Sequence, residues 1–127
     1  MATEILVNDG GAPARILPFT AGATVSGGEA VIMSADGEID PAGAAATNVL
    51  GFMFVDASSG SNCSVITGKG VIVNAYVSGT AAKGARLEVV GALGELGTGS
   101  TTSDAAVAIM LGPATSTPAT LRKVLLI

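Results

Sequence analysis

The distribution of glycine restricts the fold of this chain more than any other feature. The sequence has 18 glycines in 127 residues, and they recur so often that no helix-length window keeps a 3.6-residue apolar period. Each glycine inside a helix costs roughly 1 kcal/mol relative to alanine. Short β-prone runs lie between glycine-rich turns instead. We therefore expect an all-β chain of about eight to ten short strands, folded as a compact sandwich or barrel.

The predicted strands are clearest in the middle of the chain. Residues 49–55, 64–67 and 70–77 are rich in β-branched and aromatic side chains, and turn-forming residues separate them. Residues 40–47 predict a crossover with one helical turn. Residues 91–104, which are mostly small and polar, predict a mobile loop. The remaining predicted strands are residues 29–34, 85–90, 105–111 and 121–127.

The second half of the sequence repeats a pattern of the first half. Gly28 and Gly84 each follow a threonine by four positions, and a Gly-Glu-aliphatic triplet begins at Gly37 and again at Gly94. The offset between the copies is 56–57 residues. Two copies are too few for a solenoid, which needs at least about three. We therefore predict one domain with two similar halves that pack together or close into one barrel, at about residues 20–77 and 78–127.

Residues 1–19 differ from the rest and predict an extended N-terminal arm before a single all-β domain at residues 20–127. Two short apolar pieces, residues 4–7 and 15–17, flank a flexible stretch that contains two glycines and a proline. Two alternatives stay open for this arm. It forms an edge strand of its own domain, or it reaches onto a neighbouring molecule.

The composition indicates a surface with few charges. Charged residues make up 13% of the chain, the net charge is -4, and the aromatic share is 3%. The 22 alanines add little to a core, so packing depends on Val, Ile, Leu and Met. Such an exterior suits a protein whose surface is covered by copies of itself or by a partner. The six Lys and Arg residues are dispersed, so we expect no nucleic-acid partner.

The sequence also bears on where the protein is made. A single cysteine excludes an internal disulfide, and no secretion signal pattern opens the chain. The apolar runs are shorter than the about 20 residues that cross a bilayer. We therefore expect a soluble protein that is made without export and has no membrane partner.

No catalytic constellation is evident. The chain has no histidine, and Cys63 has no second cysteine for a metal site, so we expect it to be a half-buried strand residue. Asp36, Glu38 and Asp40 alternate as in a calcium loop but lack the remaining ligands, which predicts a turn with solvated acids. Lys69 lies at a predicted hairpin tip without the spacing of a phosphate loop. We predict a non-enzymatic protein with no catalytic residue, cofactor or metal.

Five segments combine glycine with aliphatic runs, and they occur in the order PFTAGATVSGGEAVIM, LGFMFVDASSG, TGKGVIVNAYVSG, KGARLEVV and VAIMLGPATS. This succession resembles the capsid decoration proteins of tailed bacteriophages, which are also called structural cement. The chain departs from that family because Tyr76 is its only aromatic residue after Phe54.

The resemblance implies a structural protein that binds the outside of an expanded capsid and clamps neighbouring coat subunits. It implies that the protein is made in the host bacterial cytoplasm and resides on the virion exterior. The implied partners are the major capsid protein and further copies of the chain, most often as a trimer, with a dimer as the alternative. A bacterial surface or fibre-type adhesion subunit is the alternative function. The capsid-binding residues that we assign to the arm are Glu4, Ile5, Leu6, Val7, Arg15, Ile16, Leu17 and Phe19.

Overall fold

The computed structural model describes residues 5–8, 15–91, 93–98, 106–113 and 119–127. These residues form strands and turns, with no helix among them, as the sequence predicts. The strands are β1 (Leu6–Asn8), β2 (Arg15–Ala21), β3 (Ala30–Ala35), β4 (Glu38–Pro41), β5 (Gly51–Met53), β6 (Asn62–Thr67), β7 (Ile72–Val77), β8 (Arg86–Val89), β9 (Leu96–Gly97), β10 (Ala108–Gly112) and β11 (Thr120–Leu126).

The strands form two closed sheets. The first barrel consists of β2 to β6 in the order β2-β4-β3-β5-β6. The other strands form a sheet in the order β1-β7-β11-β10-β8-β9, and a pairing of β7 with β9 closes its last five strands into the second barrel. The predicted all-β fold with two similar halves is therefore confirmed.

The two barrels have the same topology. In each, the first and third strands are parallel, and all other neighbours are antiparallel. Val77 pairs with Leu96 as Ala21 pairs with Ile39. When β2 to β6 are matched in order with β7 to β11, equivalent residues are 56 or 57 positions apart in the first four strands, as the sequence predicts. In the last strand of each barrel they are 59 positions apart.

Glycines at matched turns explain why the repeat is visible in the sequence. Gly28 and Gly84 have φ angles of 93° and 83°, and Gly37 and Gly94 have φ angles of 71° and 72°. This left-handed region is open to glycine and strained for residues with a side chain. Both halves therefore need glycine at the same two turns.

Each barrel encloses its own core, but the core of the second barrel continues into the junction, which is the region where the two barrels touch. The inward side chains of the first barrel include Val31, Ile39 and Met53. The cluster inside the second barrel also takes in Phe52 and Ile66, which lie on the outer face of the first barrel. The second barrel therefore uses the first as part of its packing.

Backbone hydrogen bonds join the segment 28–30 of the first barrel to the second barrel. In the first barrel, the Thr20 N–H donates to the Gly37 carbonyl at 2.8 Å. The counterpart groups in the second barrel bond to the first barrel instead: the Tyr76 N–H donates to the Gly28 carbonyl at 3.0 Å, and the Gly94 carbonyl accepts from the Ala30 N–H at 3.0 Å. The segment 28–30 of the first barrel is thus inserted between β7 and β9.

The crossover after β4 differs from its prediction. Asp40 and Pro41 belong to β4, and the residues that follow form a turn rather than a helical turn. The Gly94 N–H donates to the Ala42 carbonyl at 2.9 Å, and the Ala45 N–H donates to the Val89 carbonyl at 2.7 Å. These bonds tie the crossover to the second barrel, and the Ala46 N–H closes the turn by donating to the Gly43 carbonyl at 3.2 Å.

The predicted mobile loop at residues 91–104 is wrong over its described part. Leu96 is fully buried in β9. The Val90 N–H donates to the Glu95 carbonyl, and the Ser78 N–H donates to the Leu96 carbonyl, each at 2.8 Å. Residues 91 and 93–98 therefore belong to a packed hairpin with Gly94 at its turn. Residues 92 and 99–104 lie outside the described residues.

Two predicted boundaries also need correction. β2 crosses the predicted limit of the arm between residues 19 and 20, because Arg15 to Thr20 pair continuously with β6. β7 belongs to the second barrel, because it pairs with β11 over six residues. The halves therefore divide between residues 67 and 72 rather than after residue 77.

Candidate interaction surfaces

The two pieces of the N-terminal arm lie on different barrels. β1 pairs with β7 on the second barrel, and the Asn74 N–H donates to the Ile5 carbonyl at 2.7 Å. Ile5 is 7% exposed and packs in the core cluster of the second barrel. This piece is therefore an edge strand of its own chain, and Ile5 is not accessible to a partner. Glu4 lies outside the described residues, while Leu6 and Val7 form part of β1.

The second piece of the arm forms the start of β2. Ile16 is 42% exposed, Leu17 is 36% exposed, and Arg15 beside them is also exposed. Phe19 is half-buried against the core of the first barrel. The side chains of five assigned residues are described, and of these Arg15, Ile16 and Leu17 are exposed.

The outer edge of β2 differs from the edge of β7 on which β1 lies. The Thr20 N–H and the Gly22 N–H point away from β6, so alternation directs the Ile16 N–H to the same side. Pro18 stands where Asn74 stands in β7, and proline has no N–H to donate. No described strand pairs with this edge beside Pro18. A proline is typical of a sheet edge that stays unpaired.

Further exposed apolar side chains lie elsewhere and were missed from the sequence. Met33 at the end of β3 is 42% exposed, and Leu111 in β10 is 40% exposed. Strand alternation could have placed Leu111 outside, because Ala108 and Met110 face inward. The exposure of Met33 has no sequence signal, because it faces the same side as buried Ile39.

Described residues of both barrels line a larger and a smaller cleft where the barrels meet. The larger has a volume of about 290 Å³, and its lining includes Phe52, Thr67, Lys69, Val107 and Ile127. The smaller has a volume of about 250 Å³, and it is lined by Ile5, Gly27, Phe54, Val55, Asp56, Tyr76 and Leu121.

Acidic side chains around the smaller cleft hold a turn together. The Ser26 N–H donates to the Glu29 carboxylate at 2.9 Å, and the Gly27 N–H donates to the Asp56 carboxylate at 2.7 Å. Burial raises the pKa of Glu29, nearby Glu95 and Asp56 raise it further, and the hydrogen bond from Ser26 lowers it. These carboxylates therefore have a structural role in the turn.

The polar residues considered for chemistry are dispersed. Cys63 is buried, and burial raises the pKa of its thiol, which disfavours a reactive thiolate. Asp36 and Lys69 are exposed at separate turns. Within the described residues, no group of three or more His, Cys, Asp or Glu side chains could hold a metal ion. The same residues contain no helix that could cross a membrane.

Comparison with known proteins gives the class of fold. No family model and no curated protein matches the sequence. A solved structure does match: the N base of the head fibre gp8.5 of bacteriophage phi29, with a TM-score of 0.68 at 13% sequence identity. The match covers 91% of this chain and 95% of that chain. The chain therefore has the fold of a phage head-fibre base, and the predicted likeness to phage head proteins is confirmed at the level of the fold.

Proposed function

We propose that the protein is a non-enzymatic structural component of a phage head, which binds the outer capsid surface and clamps neighbouring coat subunits. The match to the phi29 head-fibre base carries this proposal, because it spans nearly the whole of both chains. The low charge of the chain supports it, since an exterior of small, weakly polar residues suits contact with a repeating protein surface.

The capsid-binding residues in this proposal are fewer than those assigned to the arm from the sequence. Ile5 is buried in its own chain, so we assign the contact to the exposed start of β2, at Arg15 and Ile16. The expected partners are the major capsid protein and further copies of the chain, most often three, on the virion exterior. A second candidate is a base that carries a fibre, because the matching structure is named as a fibre base.

The test is co-sedimentation with capsids assembled from the coat protein that is encoded with this chain. We expect saturable binding to expanded capsids and greater resistance of those capsids to heat. The double variant Arg15→Glu with Ile16→Asp should lose most of the binding. Leu93→Asp, at another exposed position, is the matched control and should bind normally.

Two results would reject the capsid proposal: no binding of the folded protein to expanded capsids, or equal binding by both variants. The fibre-base candidate predicts in addition a second protein that attaches to the decorated capsid. Imaging of decorated capsids checks this, because a fibre base shows density extending outward from each copy.

A further inference from the structure

One end of each barrel can be compared directly, and the two ends differ in exposure. In the second barrel, Val73 and Val89 lie at this end and are 0% and 1% exposed. Their counterparts in the first barrel are Leu17 and Met33, which are 36% and 42% exposed. We call the end of the first barrel formed by Leu17, Met33 and half-buried Leu50 the open end.

The first barrel itself covers the corresponding end of the second barrel. The crossover after β4 reaches over this end, where the Ala45 N–H donates to the Val89 carbonyl. Next to it, Phe52 and Ile66 pair across β5 and β6 and pack into the core cluster of the second barrel. Within a single chain, the apolar outer face of the first barrel therefore fits the end of the second barrel.

The second barrel has the same outer face, and the described part of the chain covers it less completely than the outer face of the first barrel. Ile109 and Leu125 pair across β10 and β11 as Phe52 and Ile66 do in the first barrel. Phe52 and Ile66 are 1% and 0% exposed, whereas Ile109 and Leu125 are only half-buried. Leu111 stands beside them and is 40% exposed. We call Ile109, Leu111 and Leu125 the outer face.

We infer that the outer face of one copy packs against the open end of the first barrel of another copy. The occupant is a second copy of this chain, because the chain already contains the same contact between its own barrels. Each of these surfaces has a buried counterpart at the equivalent place in the other barrel, where apolar side chains of similar kind pack together. Apolar area is removed from water on both sides, which favours the contact.

The expected contact is less deep than the one inside the chain. The Thr20 N–H and the Gly37 carbonyl bond to each other, whereas their counterparts Tyr76 and Gly94 accept the inserted segment 28–30. The contact between copies therefore rests on side chains, with no inserted backbone. A weaker association between copies than between barrels follows.

The contact is head-to-tail, because its two sides are different parts of the surface. Head-to-tail contacts join copies into a ring when the rotation closes, or into a filament when it does not. A two-fold dimer would instead use one patch on both copies. The inference thus excludes a dimer as the final assembly and concerns the joining of copies rather than the capsid.

Paired cysteines test the geometry. In a Cys63→Ala background, one sample carries Met33→Cys and a second carries Leu111→Cys. We expect no disulfide dimer when each is oxidised alone, and a covalent dimer when the two are mixed. The double variant should give a covalent series or a closed oligomer on a non-reducing gel. Leu93→Cys mixed with Met33→Cys is the control and should stay uncrosslinked.

Three results would overturn the inference. Efficient disulfide formation by either single variant would indicate a two-fold contact. Equal crosslinking in the Leu93→Cys control would indicate random collision. A protein that is monomeric by native mass spectrometry at the highest soluble concentration, with no crosslink in the mixed sample, would mean that the open end is simply solvated.

Charge substitutions give an independent measurement. Met33→Asp and Leu111→Asp should each abolish the oligomer in light scattering, while Leu93→Asp should leave it unchanged. Because no capsid is present, failure here is distinct from failure of the proposed capsid function. A folded Leu111→Asp variant that keeps the parent oligomer would contradict the inference.

Discussion

The first barrel is closed by its own hydrogen bonds, whereas the second barrel is closed partly by the first. Thr20 bonds to Gly37 within the first barrel, but the counterpart groups of Tyr76 and Gly94 bond to the segment 28–30. The two barrels share strand order and direction, so this difference does not come from topology. The difference comes from the surroundings of each barrel, since the first barrel packs onto the second barrel near Tyr76 and Gly94.

Core packing shows the same asymmetry. The cluster inside the second barrel extends to Phe52 and Ile66 of the first, whereas the cluster inside the first barrel is separate. The second barrel should therefore depend on the first for stability more than the reverse. Counterpart positions in the two barrels are natural matched controls, because the local strand geometry is alike and only the surroundings differ.

The largest expected difference is between Phe52→Ala and Ile109→Ala. Phe52 is 1% exposed at the junction, so its removal should lower the free energy of unfolding by about 3–5 kcal/mol. Ile109 is only half-buried, and its removal should cost about 1–2 kcal/mol. Denaturant unfolding of dilute protein measures both. Equal losses would mean that the junction contributes no more than an open strand face.

The next comparison is between Gly94→Ala and Gly37→Ala. Both residues have a positive φ, so each substitution should cost roughly 1–2 kcal/mol in backbone strain. A Cβ on Gly94 would also overlap the backbone of Ala30, whereas a Cβ on Gly37 would meet nothing within 4 Å. This overlap should add about 1–3 kcal/mol for Gly94→Ala. Thermal unfolding of the two variants checks it, and a smaller loss for Gly94→Ala would contradict the inserted segment.

The two isoleucines of the N-terminal arm give a smaller contrast. Ile5→Ala should lower the free energy of unfolding by about 2 kcal/mol, because Ile5 is 7% exposed and holds β1 on the second barrel. Ile16→Ala should change it by less than about 0.5 kcal/mol, because Ile16 is 42% exposed. Denaturant unfolding and proteolysis near the N terminus measure the effect. Similar stability of both variants would show that β1 is not anchored by Ile5.

The smallest expected effect is the pH dependence from Glu29, whose counterpart in the second half is Ala85. Burial raises the pKa of Glu29 above its ordinary value of 4.5, so the folded state holds this proton more tightly than the unfolded state. Stability should therefore fall as the pH rises from about 4.5 through the raised pKa. In Glu29→Gln this fall should be reduced, because glutamine does not titrate and can still accept from Ser26. Melting temperatures of both proteins across that pH range test this prediction. The same pH profile for Glu29→Gln and the parent protein would contradict it.

Much of the fold could be predicted from local patterns. The glycines at matched turns need a left-handed backbone, which depends on single residues, so the repeat could be read without any contact information. The runs of β-branched residues likewise located β6, β7 and β8 within a few positions. The short strands β4 and β9 were missed, because strands of four and two residues carry little periodic signal.

The candidate surfaces could be predicted less well. The sequence indicated that residues 4–7 and 15–17 are apolar pieces of one arm, yet these pieces lie on different barrels. Whether an apolar strand residue is buried depends on what packs above it, and residues distant in the sequence decide that. Met33 and Val89 occupy equivalent positions, but only Val89 is covered, by the crossover after β4.

Local sequence was thus sufficient for the all-β class, the two halves and most of the turns, because strand propensity and glycine conformation act over a few residues. Long-range packing was needed to close two barrels, to insert the segment 28–30 between β7 and β9, and to leave one barrel end open. These features depend on contacts between residues more than 40 positions apart, such as Gly28 with Tyr76 and Ala30 with Gly94. A local pattern carries no information about such contacts, since each half has nearly the same pattern and a different neighbour.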